Sequence, residues 1–373
     1  MAVIVIITPT NPLDRCGHSG VVYSITNQLS KYNEIIWLKP RKSFIGLLLN
    51  ILPLMYVYTL KFMGYTISHH TSISKMYARY LNKKLKTLEF DCVFGFESIY
   101  LAYLKSEKPI YYRSDAVYHS MVNYYIFNVP ELMVRQGDEV ERRTLMNIKS
   151  MFCSSQWVMD EIKKYYPEVD SAKIVLVHSG ANIVHKIENT KYKDSTKLKL
   201  LFIGSDPKRK GIDIAIETTR MLNEVYNKET SLTVIGGYVD TNSMYVSNIG
   251  HIDKNIKSQS VLFEKILSET DLLIFPTKAE CAGIINCEAA AYGIPVIAYR
   301  VGGIPSYVFD DVNGCLLDIE DSAEDFARLI NGLSTEKLTS YSRNARALYE
   351  STFNWEHWGA SVNAIINKME VNN

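Results

Sequence analysis

Short apolar runs alternate with longer amphipathic stretches along most of the chain. Apolar runs of this kind, bounded by turn residues, are typical of buried strands, and the stretches between them have the composition of helices. In the first half the predicted strands are 3–8, 34–38, 92–96, 110–112, 151–154 and 174–177. In the second half they are 198–203, 232–235, 271–275 and 295–299. The alternation predicts an α/β chain with two doubly wound parallel sheets.

Length and a polar interruption predict how the chain divides. At 373 residues it exceeds the usual size of one hydrophobic core, so we expect two Rossmann-like domains that face a cleft. The run 185–197 is rich in charged residues and is the predicted linker. The first domain is then 1–184 and the second 198–352. The amphipathic tail, 353–373, predicts a last helix that could pack on either domain.

Composition narrows the class of partner and the compartment. A net charge of +1 gives no basic excess for a nucleic-acid backbone, so nucleic acid is excluded as a partner. The six cysteines have no CxxC spacing, which fits a reducing compartment. The opening MAVIVIITPT has no basic segment before its apolar run and predicts a strand and not a signal peptide. We therefore expect a cytoplasmic protein.

One apolar segment suggests a membrane surface. Residues 44–60 are almost wholly apolar, but Asn50 and Pro53 interrupt them and they are short for a bilayer crossing. The basic stretch 75–86 lies nearby in sequence and mixes lysines with aromatic and aliphatic residues. Peripheral docking of 41–61 and 75–86 on anionic lipid at the inner face of the cell membrane is one interpretation. A buried helix beside solvated lysines is the other.

Two glutamates around a small-residue turn are the first candidate site. Glu280 and Glu288 are eight positions apart, and the turn between them opens a predicted helix at 282–292. Free amides of Gly283 and Ile284 in the first helical turn would attract a diphosphate, since they add to the helix dipole. Glu288 could then accept hydrogen bonds from ribose hydroxyls, and Glu280 could face a sugar. A solvated glutamate in an ordinary loop is the alternative.

Two further turns follow predicted strands and could reach the same ligand. After 198–203 comes Gly204, and three consecutive bases, Lys208, Arg209 and Lys210, precede the next helix. Fixed cations there would neutralise a departing diphosphate, although a basic turn can also be merely solvated. In the first domain Gly17-His18-Ser19-Gly20 follows the first strand and precedes a helix. Alone, that glycine pair is weak evidence.

Taken together and in this order, these turns resemble retaining glycosyltransferases of the GT-B type, family 4, and are similar to hexosyltransferases of lipopolysaccharide core and capsule synthesis. Glu280 and Glu288 match the family's E-x7-E pair, and 202–211, FIGSDPKRKG, is similar to its donor-diphosphate turn. The other matching motifs are HSGAN at 178–182, VGGIP at 301–305, NG at 313–314 and WE at 355–356. The resemblance implies that the last helix crosses back to the first domain.

The resemblance also implies a role for each matching residue. Glu288 would bind the ribose, and Glu280 the hydroxyls of the donor sugar. The diphosphate would be held by residues of both domains, namely Ser19, Gly20, Gly204, Arg209, Lys210, Gly283 and Ile284. The backbone at His251-Ile252 would take the base. In this family the anomeric configuration is retained, and a leaving phosphate oxygen takes the proton of the acceptor.

Three positions depart from the family pattern. Ser205 stands where an arginine is common, so Arg209 would substitute for it. Ser306 replaces an acid that often follows the GGIP turn. The histidine usual at a strand end of the first domain is absent, and Asp115 and His119 are the acceptor-side candidates in its place.

No D-x-D motif occurs in the chain. The chain therefore has no candidate pair of carboxylates that would bind a metal ion as such a motif does. The positive charge that the diphosphate needs must come from side chains and helix ends. We expect a metal-independent enzyme with no cofactor besides its nucleotide-sugar donor.

These inferences favour a hexosyltransferase that acts on a glycan or lipid-linked acceptor in cell-surface polysaccharide or lipopolysaccharide synthesis. The donor would be a UDP- or GDP-sugar. Two other classes stay open. A sugar-nucleotide 2-epimerase of the same fold would need acid and base residues at the anomeric and C2 positions. A non-catalytic nucleotide-sugar-binding subunit would explain the departures at Ser205 and Ser306.

Overall fold

The computed structural model of the chain describes residues 1–43, 55, 59, 61, 69–183, 197–237, 239 and 243–370, with backbone alone for 368–370. It divides into two compact units. Unit 1 comprises Met1–Val177 and Gly359–Asn373, and unit 2 comprises His178–Trp358. The predicted linker at 185–197 and the apolar segment at 44–60 lie almost entirely outside the described residues.

Unit 1 is built on a six-stranded sheet in the order β2-β1-β3-β4-β5-β6, and every pair of neighbours is parallel. The strands are β1 Val3–Ile7, β2 Glu34–Leu38, β3 Cys92–Gly95, β4 Ile110–Ser114, β5 Ser150–Cys153 and β6 Ile174–Leu176. Because the chain leaves β1 for β2 on one side and later adds β3 on the other, the strand order reverses between β1 and β3. Ligands of open α/β sheets bind at the carboxyl edge of such a switch point.

Helices cover the sheet of unit 1. They are α1 Val21–Leu29, α2 Thr71–Leu85, α3 Ser98–Leu101, α4 Tyr118–Met121, α5 Glu131–Asn147 and α6 Gln156–Tyr165, and α12 Trp355–Glu370 joins them from Gly359 onward. In the last helix Asn363 accepts a 2.8 Å hydrogen bond from Asn33. The four central strands, β1, β3, β4 and β5, are buried at nearly every position, which is why they read as continuous apolar runs, whereas the edge strands β2 and β6 are partly exposed.

Unit 2 repeats this architecture with the strand order β12-β11-β10-β7-β8-β9, again all parallel. Its strands are β7 Leu198–Gly204, β8 Thr230–Gly236, β9 Val246–Gly250, β10 Leu272–Phe275, β11 Val296–Tyr299 and β12 Gly314–Leu317. Its helices are α7 Ile212–Glu224, α8 Lys257–Glu269, α9 Ile284–Ala291, α10 Ala323–Gly332 and α11 Thr335–Ser351.

Two strands of unit 2 were not predicted, and both are edge strands. The burial of β9 alternates between half-buried and exposed positions, and its sequence VSNIG contains two polar residues. The sequence GCLL of β12 is too short to stand out as an apolar run. An edge strand is covered on fewer sides, so it needs fewer apolar residues and gives a weaker signal.

The six cysteines all lie within the described residues. None of them forms a disulfide, and five are buried. Within the described part of the chain, no helix combines the length and the apolarity that crossing a bilayer requires.

Candidate functional site

The N-terminus of α9 in unit 2 depends on a glycine. Gly283 precedes the helix with a left-handed φ of 73°. A Cβ at this position would lie 2.6 Å from the side-chain nitrogen of Asn286. Any other residue would therefore be strained both by its left-handed backbone and by this contact. The first backbone amides of α9 therefore begin at Gly283 and Ile284, as the sequence predicts. They lie on the same loop and helix as Glu280 and Glu288.

Glu280 forms an ion pair with Lys210. Both side chains are 12% exposed, and the Lys210 ammonium lies 4.6 Å from the ring centre of Phe275 on β10. The structure thus joins two residues that the sequence predicted from separate motifs 70 positions apart. Because little solvent reaches this ion pair, the attraction between its charges is screened only weakly. The pair therefore holds both side chains at the carboxyl edge of the sheet.

Glu288 forms the second ion pair of the site, with Lys254. Lys254 Nζ donates to Glu288 Oε1 at 2.6 Å, and the two side chains are 21% and 5% exposed. The same ammonium lies 3.9 Å from the ring centre of Phe263 on α8. Burial raises the pKa of Glu288, and the positive charge of Lys254 opposes that rise. Each glutamate of the E-x7-E pair therefore has one lysine partner, and each lysine packs on a phenylalanine.

The basic turn after β7 is fastened to the loop that carries Glu280. Arg209 Nη1 donates to the carbonyl oxygen of Ala279 at 2.6 Å, and the amide of Lys278 donates to the carbonyl oxygen of Arg209 at 2.9 Å. A Cβ on Gly204 would lie 2.7 Å from the Lys210 side chain, so the glycine leaves room for that lysine to pass. Of the three bases only Lys208 is fully exposed. The alternative that this basic turn is merely solvated therefore holds for Lys208 and not for Arg209 and Lys210.

The loop after β9 holds the predicted base-binding residues. Gly250 has a φ of 79°, His251 is exposed, and the side chain of Ile252 is buried in the core of unit 2. The core thus holds the side chain of Ile252 and fixes the backbone on either side of it. Lys254 follows two residues later, so this loop also supplies the partner of Glu288.

The HSGAN turn at 178–182 has a structural role in unit 2. The amide of Ser179 donates to the Tyr307 hydroxyl at 3.1 Å, and Asn182 Oδ1 accepts from Trp355 Nε1 at 2.8 Å. A Cβ on Gly180 would lie 2.3 Å from the backbone nitrogen of Trp355. The glycine of this turn therefore serves packing, whereas the backbone of Asn182 also reaches the candidate site. Its carbonyl oxygen accepts a 3.5 Å hydrogen bond from Lys254 Nζ, and a hydrogen bond from its backbone lowers the pKa of Glu288.

In unit 1 the turn after β1 has an unusual backbone. His18, Ser19 and Gly20 have φ of 49°, 55° and 79°, all in the left-handed region. Residues with a Cβ rarely adopt this conformation, and such strain is concentrated at functional sites. Gly20 directly precedes α1, so the predicted loop leads into a helix N-terminus.

Four charged residues lie at the carboxyl ends of β1, β3 and β4 around the switch point. Arg113 is buried and makes two contacts with Asp115, at 2.6 and 2.9 Å. Across the neighbouring strands, His18 Nε2 lies 3.8 Å from Glu97 Oε1. Burial raises the pKa of Glu97 to about 7. Asp115 was predicted, whereas Glu97 was not, because its short helix α3 carries no motif.

The structure gives His119 different partners from Asp115. His119 Nδ1 lies 2.8 Å from Asp138 Oδ2, and Asp138 Oδ1 accepts a 3.0 Å hydrogen bond from the Tyr166 hydroxyl. The ring of His119 stacks on Tyr165 with 4.0 Å between centroids. The two acceptor-side candidates therefore belong to separate clusters of unit 1.

Among the described residues, no three histidine, cysteine, aspartate or glutamate side chains are grouped so that they could hold a metal ion. The cations of the unit 2 site are the side chains of Arg209, Lys210 and Lys254.

Comparison with known proteins relates this geometry to a family. Residues 185–350 match the family model described as glycosyl transferases group 1. The lipopolysaccharide glucosyltransferase WaaG of Escherichia coli K12 is 24% identical over 298 residues, which cover 75% of this chain and 78% of WaaG. A D-inositol 3-phosphate glycosyltransferase of Arthrobacter sp. FB24 is 26% identical over 173 residues, covering 44% of this chain and 41% of that protein. The chain thus spans well under two thirds of this second relative.

Solved structures show the same fold over nearly the whole chain. The crystal structure of WaaG, a glycosyltransferase involved in lipopolysaccharide biosynthesis, has a TM-score of 0.65 and 17% identity, and the match covers 97% of this chain and 99% of that one. Anabaena Alr3699/HepE in complex with UDP and glucose has a TM-score of 0.66 and 13% identity, covering 99% and 100%. The predicted architecture of two doubly wound sheets is confirmed. Residues 185–350 are thus similar to glycosyl transferases group 1, and the two sheets have the same fold as GT-B glycosyltransferases such as WaaG.

Proposed function

We propose that the chain transfers a hexose from a UDP- or GDP-sugar to a glycan or lipid-linked acceptor in cell-surface polysaccharide or lipopolysaccharide synthesis. The reaction retains the anomeric configuration and uses no metal ion. The observation that carries this proposal is the pair of glutamates at the start of α9, the half-buried Glu280 and the buried Glu288, each of which forms an ion pair with a lysine. The match of this region to the glycosyl transferases group 1 model supports it.

In this proposal the donor diphosphate binds at the start of α9. The amides of Gly283 and Ile284 lie at a helix N-terminus, where the dipole favours an anion. Arg209 is tied to the Glu280 loop, and Lys210 is nearly buried beside Glu280. These two cations neutralise the charge that develops on the diphosphate as the bond to the sugar breaks.

Glu288 binds the ribose beside its contact with Lys254. Lys254 Nζ engages Oε1 at 2.6 Å, and because a carboxylate accepts several hydrogen bonds, ribose hydroxyls can bind the same group while the lysine stays in place. Glu280 accepts hydrogen bonds from hydroxyls of the sugar in the same way, beside its contact with Lys210.

The acceptor hydroxyl attacks the anomeric carbon while the bond from that carbon to the phosphate oxygen breaks. The released phosphate oxygen takes the proton of the hydroxyl on the same face, so no enzymic nucleophile is required. Unit 1 supplies the acceptor-side residues. Asp115 and Glu97 at the switch point are the first candidates, and His119 with Asp138 is the second.

We also infer that the protein works in the cytoplasm at the inner face of an anionic membrane, through 41–61 and 75–86. The exposed Lys83 and Lys84 at the end of α2 support this inference. Flotation with phosphatidylglycerol vesicles tests it, since a Lys83→Glu, Lys84→Glu variant should stay behind when the wild type floats. If neither protein floats, the membrane inference is wrong.

A product assay separates the three function classes. The protein is incubated with UDP-glucose, UDP-N-acetylglucosamine and GDP-mannose, with and without a membrane extract as acceptor, and the anomeric linkage of the product is determined by NMR. The proposal predicts release of the nucleotide only with the acceptor, and an α-linkage from an α-donor. Conversion of UDP-N-acetylglucosamine without acceptor would indicate an epimerase. Donor binding without turnover would indicate a binding subunit.

A further inference from the structure

A basic groove of about 610 Å³ lies on one flank of unit 1. Helix α2 forms one wall, and the turn that follows α3 forms the other. Its polar and aromatic lining consists of Lys75, Arg79, Asn82, Lys83, Lys86, Tyr103 and Lys105. The volume is within the usual range of sites for small molecules and short oligomers, roughly 300–1,000 Å³.

The charges of the groove have one sign. Of its five cations, four belong to α2 or to the residue that ends it, at 75, 79, 83 and 86. This spacing follows the helix period, so the four form a stripe roughly 16 Å long at 1.5 Å per residue. Helix α2 contains no acidic residue, and among the described residues no carboxylate lines the groove.

In other exposed helices of the chain, basic residues pair with acidic residues of the same helix. In α5, Arg135 pairs with Glu131 and Arg143 with Glu139, both one turn apart. Like charges one turn apart destabilise a helix slightly, and a surface made only for solubility mixes the two signs. The cations of the stripe on α2 repel one another, and no acidic residue of the helix offsets this repulsion. This contrast points to an anionic ligand.

The groove is held in shape by hydrogen bonds between its walls. Asn82 Nδ2 donates to the carbonyl oxygen of Tyr103 at 3.2 Å, and Asn82 Oδ1 accepts from the amide of Lys105 at 2.8 Å. The Lys75 ammonium lies 5.2 Å from the ring centre of Tyr103. The buried face of α2 carries Met76, so the helix cannot turn to hide its charges. A preformed site loses less entropy on binding.

The groove follows α2 from the carboxyl ends of the strands toward their amino ends. Near the start of α2, Ser74 Oγ donates at 2.6 Å to the carbonyl oxygen of Ile99, which follows the carboxyl end of β3. The end of α2 leads directly to the start of β3. Helix α2 therefore runs opposite to β3, and Lys75 is nearer than Lys86 to the carboxyl edge where Glu97 and Asp115 lie.

We propose that this groove binds an acidic glycan, a chain of sugars that carries carboxylate or phosphate groups, and that it guides the acceptor to the carboxyl edge of unit 1. The identification of the ligand as the acceptor rests on the proposed function. Lys75 and Arg143 both lie over the ring of Tyr103, at 5.2 and 5.0 Å from its centre, so the aromatic wall supports the cations that the acids of a bound glycan reach. The row of cations suits a ligand whose charges recur along a chain.

Binding is tested with the full chain and three tetrasaccharides by isothermal titration: tetragalacturonate, a phosphorylated mannotetraose and neutral maltotetraose. The groove variant Arg79→Gln, Lys83→Gln, Lys105→Gln is compared with Lys108→Gln, Lys149→Gln, Lys163→Gln. The second variant loses the same charge from exposed residues of unit 1 that do not line the groove. Melting temperatures confirm that both variants fold.

The proposal predicts that at least one acidic tetrasaccharide binds the wild type and the matched variant. The groove variant should lose roughly tenfold or more in affinity, and maltotetraose should not bind. Equal losses in both variants, or no binding of either acidic probe, would overturn it. Flotation of the same variants with phosphatidylglycerol vesicles is measured beside the titrations. If the groove variant loses vesicle binding but keeps its affinity for the acidic tetrasaccharides, the groove docks on a membrane and the proposal is overturned. UDP-sugar binding is measured in the same variants, so a failure of the donor site is seen separately.

Discussion

Lys254 Nζ lies 2.6 Å from Oε1 of Glu288, a carboxylate that is 5% exposed at the centre of the candidate donor site. The two residues are 34 positions apart, and the lysine comes from the loop after an edge strand. The residue expected to bind ribose therefore has a cationic partner from another loop of unit 2. Several consequences of this pair and of its neighbours are measurable.

Removing Lys254 should destabilise unit 2 in a pH-dependent way. In a Lys254→Met variant, Glu288 stays buried without its partner, so its already raised pKa rises further. A raised carboxyl pKa gives stability that is present at low pH and lost as pH rises. We expect a loss of about 1 to 3 kcal/mol at pH 8 and a smaller loss at pH 5. Urea unfolding at both values measures it.

Lys257→Met is the control for that experiment, because this lysine is exposed at the start of α8. It should leave the free energy of unfolding nearly unchanged. Equal losses for Lys254→Met at pH 5 and pH 8 would contradict the account. A Lys254→Met, Glu288→Gln double variant should recover part of the loss at pH 8, since no buried charge is left unpaired.

Lys210 and Lys208 offer a matched pair within one turn. Lys210 is nearly buried against Glu280, and Lys208 is exposed. Lys210→Met should lower turnover by about a hundredfold, the usual effect of losing a group that stabilises developing charge. Lys208→Met should lower it by less than about threefold. Initial rates of nucleotide release measure both, and similar losses in the two variants would refute the assignment of Lys210.

Glu141 in α5 should make unit 1 less stable at alkaline pH. Its side chain is buried, and burial raises its pKa to about 7 from an ordinary 4.5. The protonated form is favoured in the folded state, so stability is fully present below pH 4.5 and is lost as pH rises through 7. A difference of this size corresponds to roughly 3 kcal/mol.

Glu141→Gln should therefore unfold with a weaker pH dependence than the wild type between pH 5 and pH 8. Glu139→Gln is the control on the same helix, because Glu139 forms an exposed pair with Arg143. Denaturant unfolding across this range is the measurement. An unchanged pH dependence in Glu141→Gln would show that this carboxyl does not titrate in that window.

Metal independence is a separate prediction. The proposed cations are Arg209, Lys210 and the helix N-terminus, so EDTA should leave the rate of transfer unchanged. The assay is repeated after dialysis against EDTA and after addition of Mg²⁺ or Mn²⁺. A sharp loss that Mg²⁺ or Mn²⁺ restores would contradict the prediction.

The sequence predicts those features of the site that depend on residues close together along the chain. The start of α9, the loop with Glu280 and the basic turn at 208–210 each depend on neighbouring residues, so their patterns are visible in the chain. Two of their side chains, Glu280 and Lys210, come together because parallel strands align their carboxyl ends at one edge. The ion pair itself was not predicted, because spacing along the chain does not give side-chain direction.

The residues that sequence reasoning missed are those whose role comes from tertiary contacts. Lys254 follows the unpredicted strand β9, and Glu97 follows β3 without a motif. Asp115 and His119 are close in sequence, and both were named as acceptor-side candidates. The structure separates them because Asp115 binds the buried Arg113, whereas His119 binds Asp138 of α5.

The central claim is that Glu280 and Glu288 form a nucleotide-sugar site, and a thermal-shift panel tests it most directly. Wild type, Glu288→Ala and the neighbouring Asn286→Ala are heated with UDP, GDP, ADP, dTDP and their sugar conjugates. At a hundredfold excess over the dissociation constant, a ligand stabilises a folded protein by about 2.7 kcal/mol, which raises the melting temperature by several degrees. We predict that UDP or GDP and its sugars shift the wild type and fail to shift Glu288→Ala. If no nucleotide shifts the wild type, or if Glu288→Ala responds as the wild type does, the claim is contradicted.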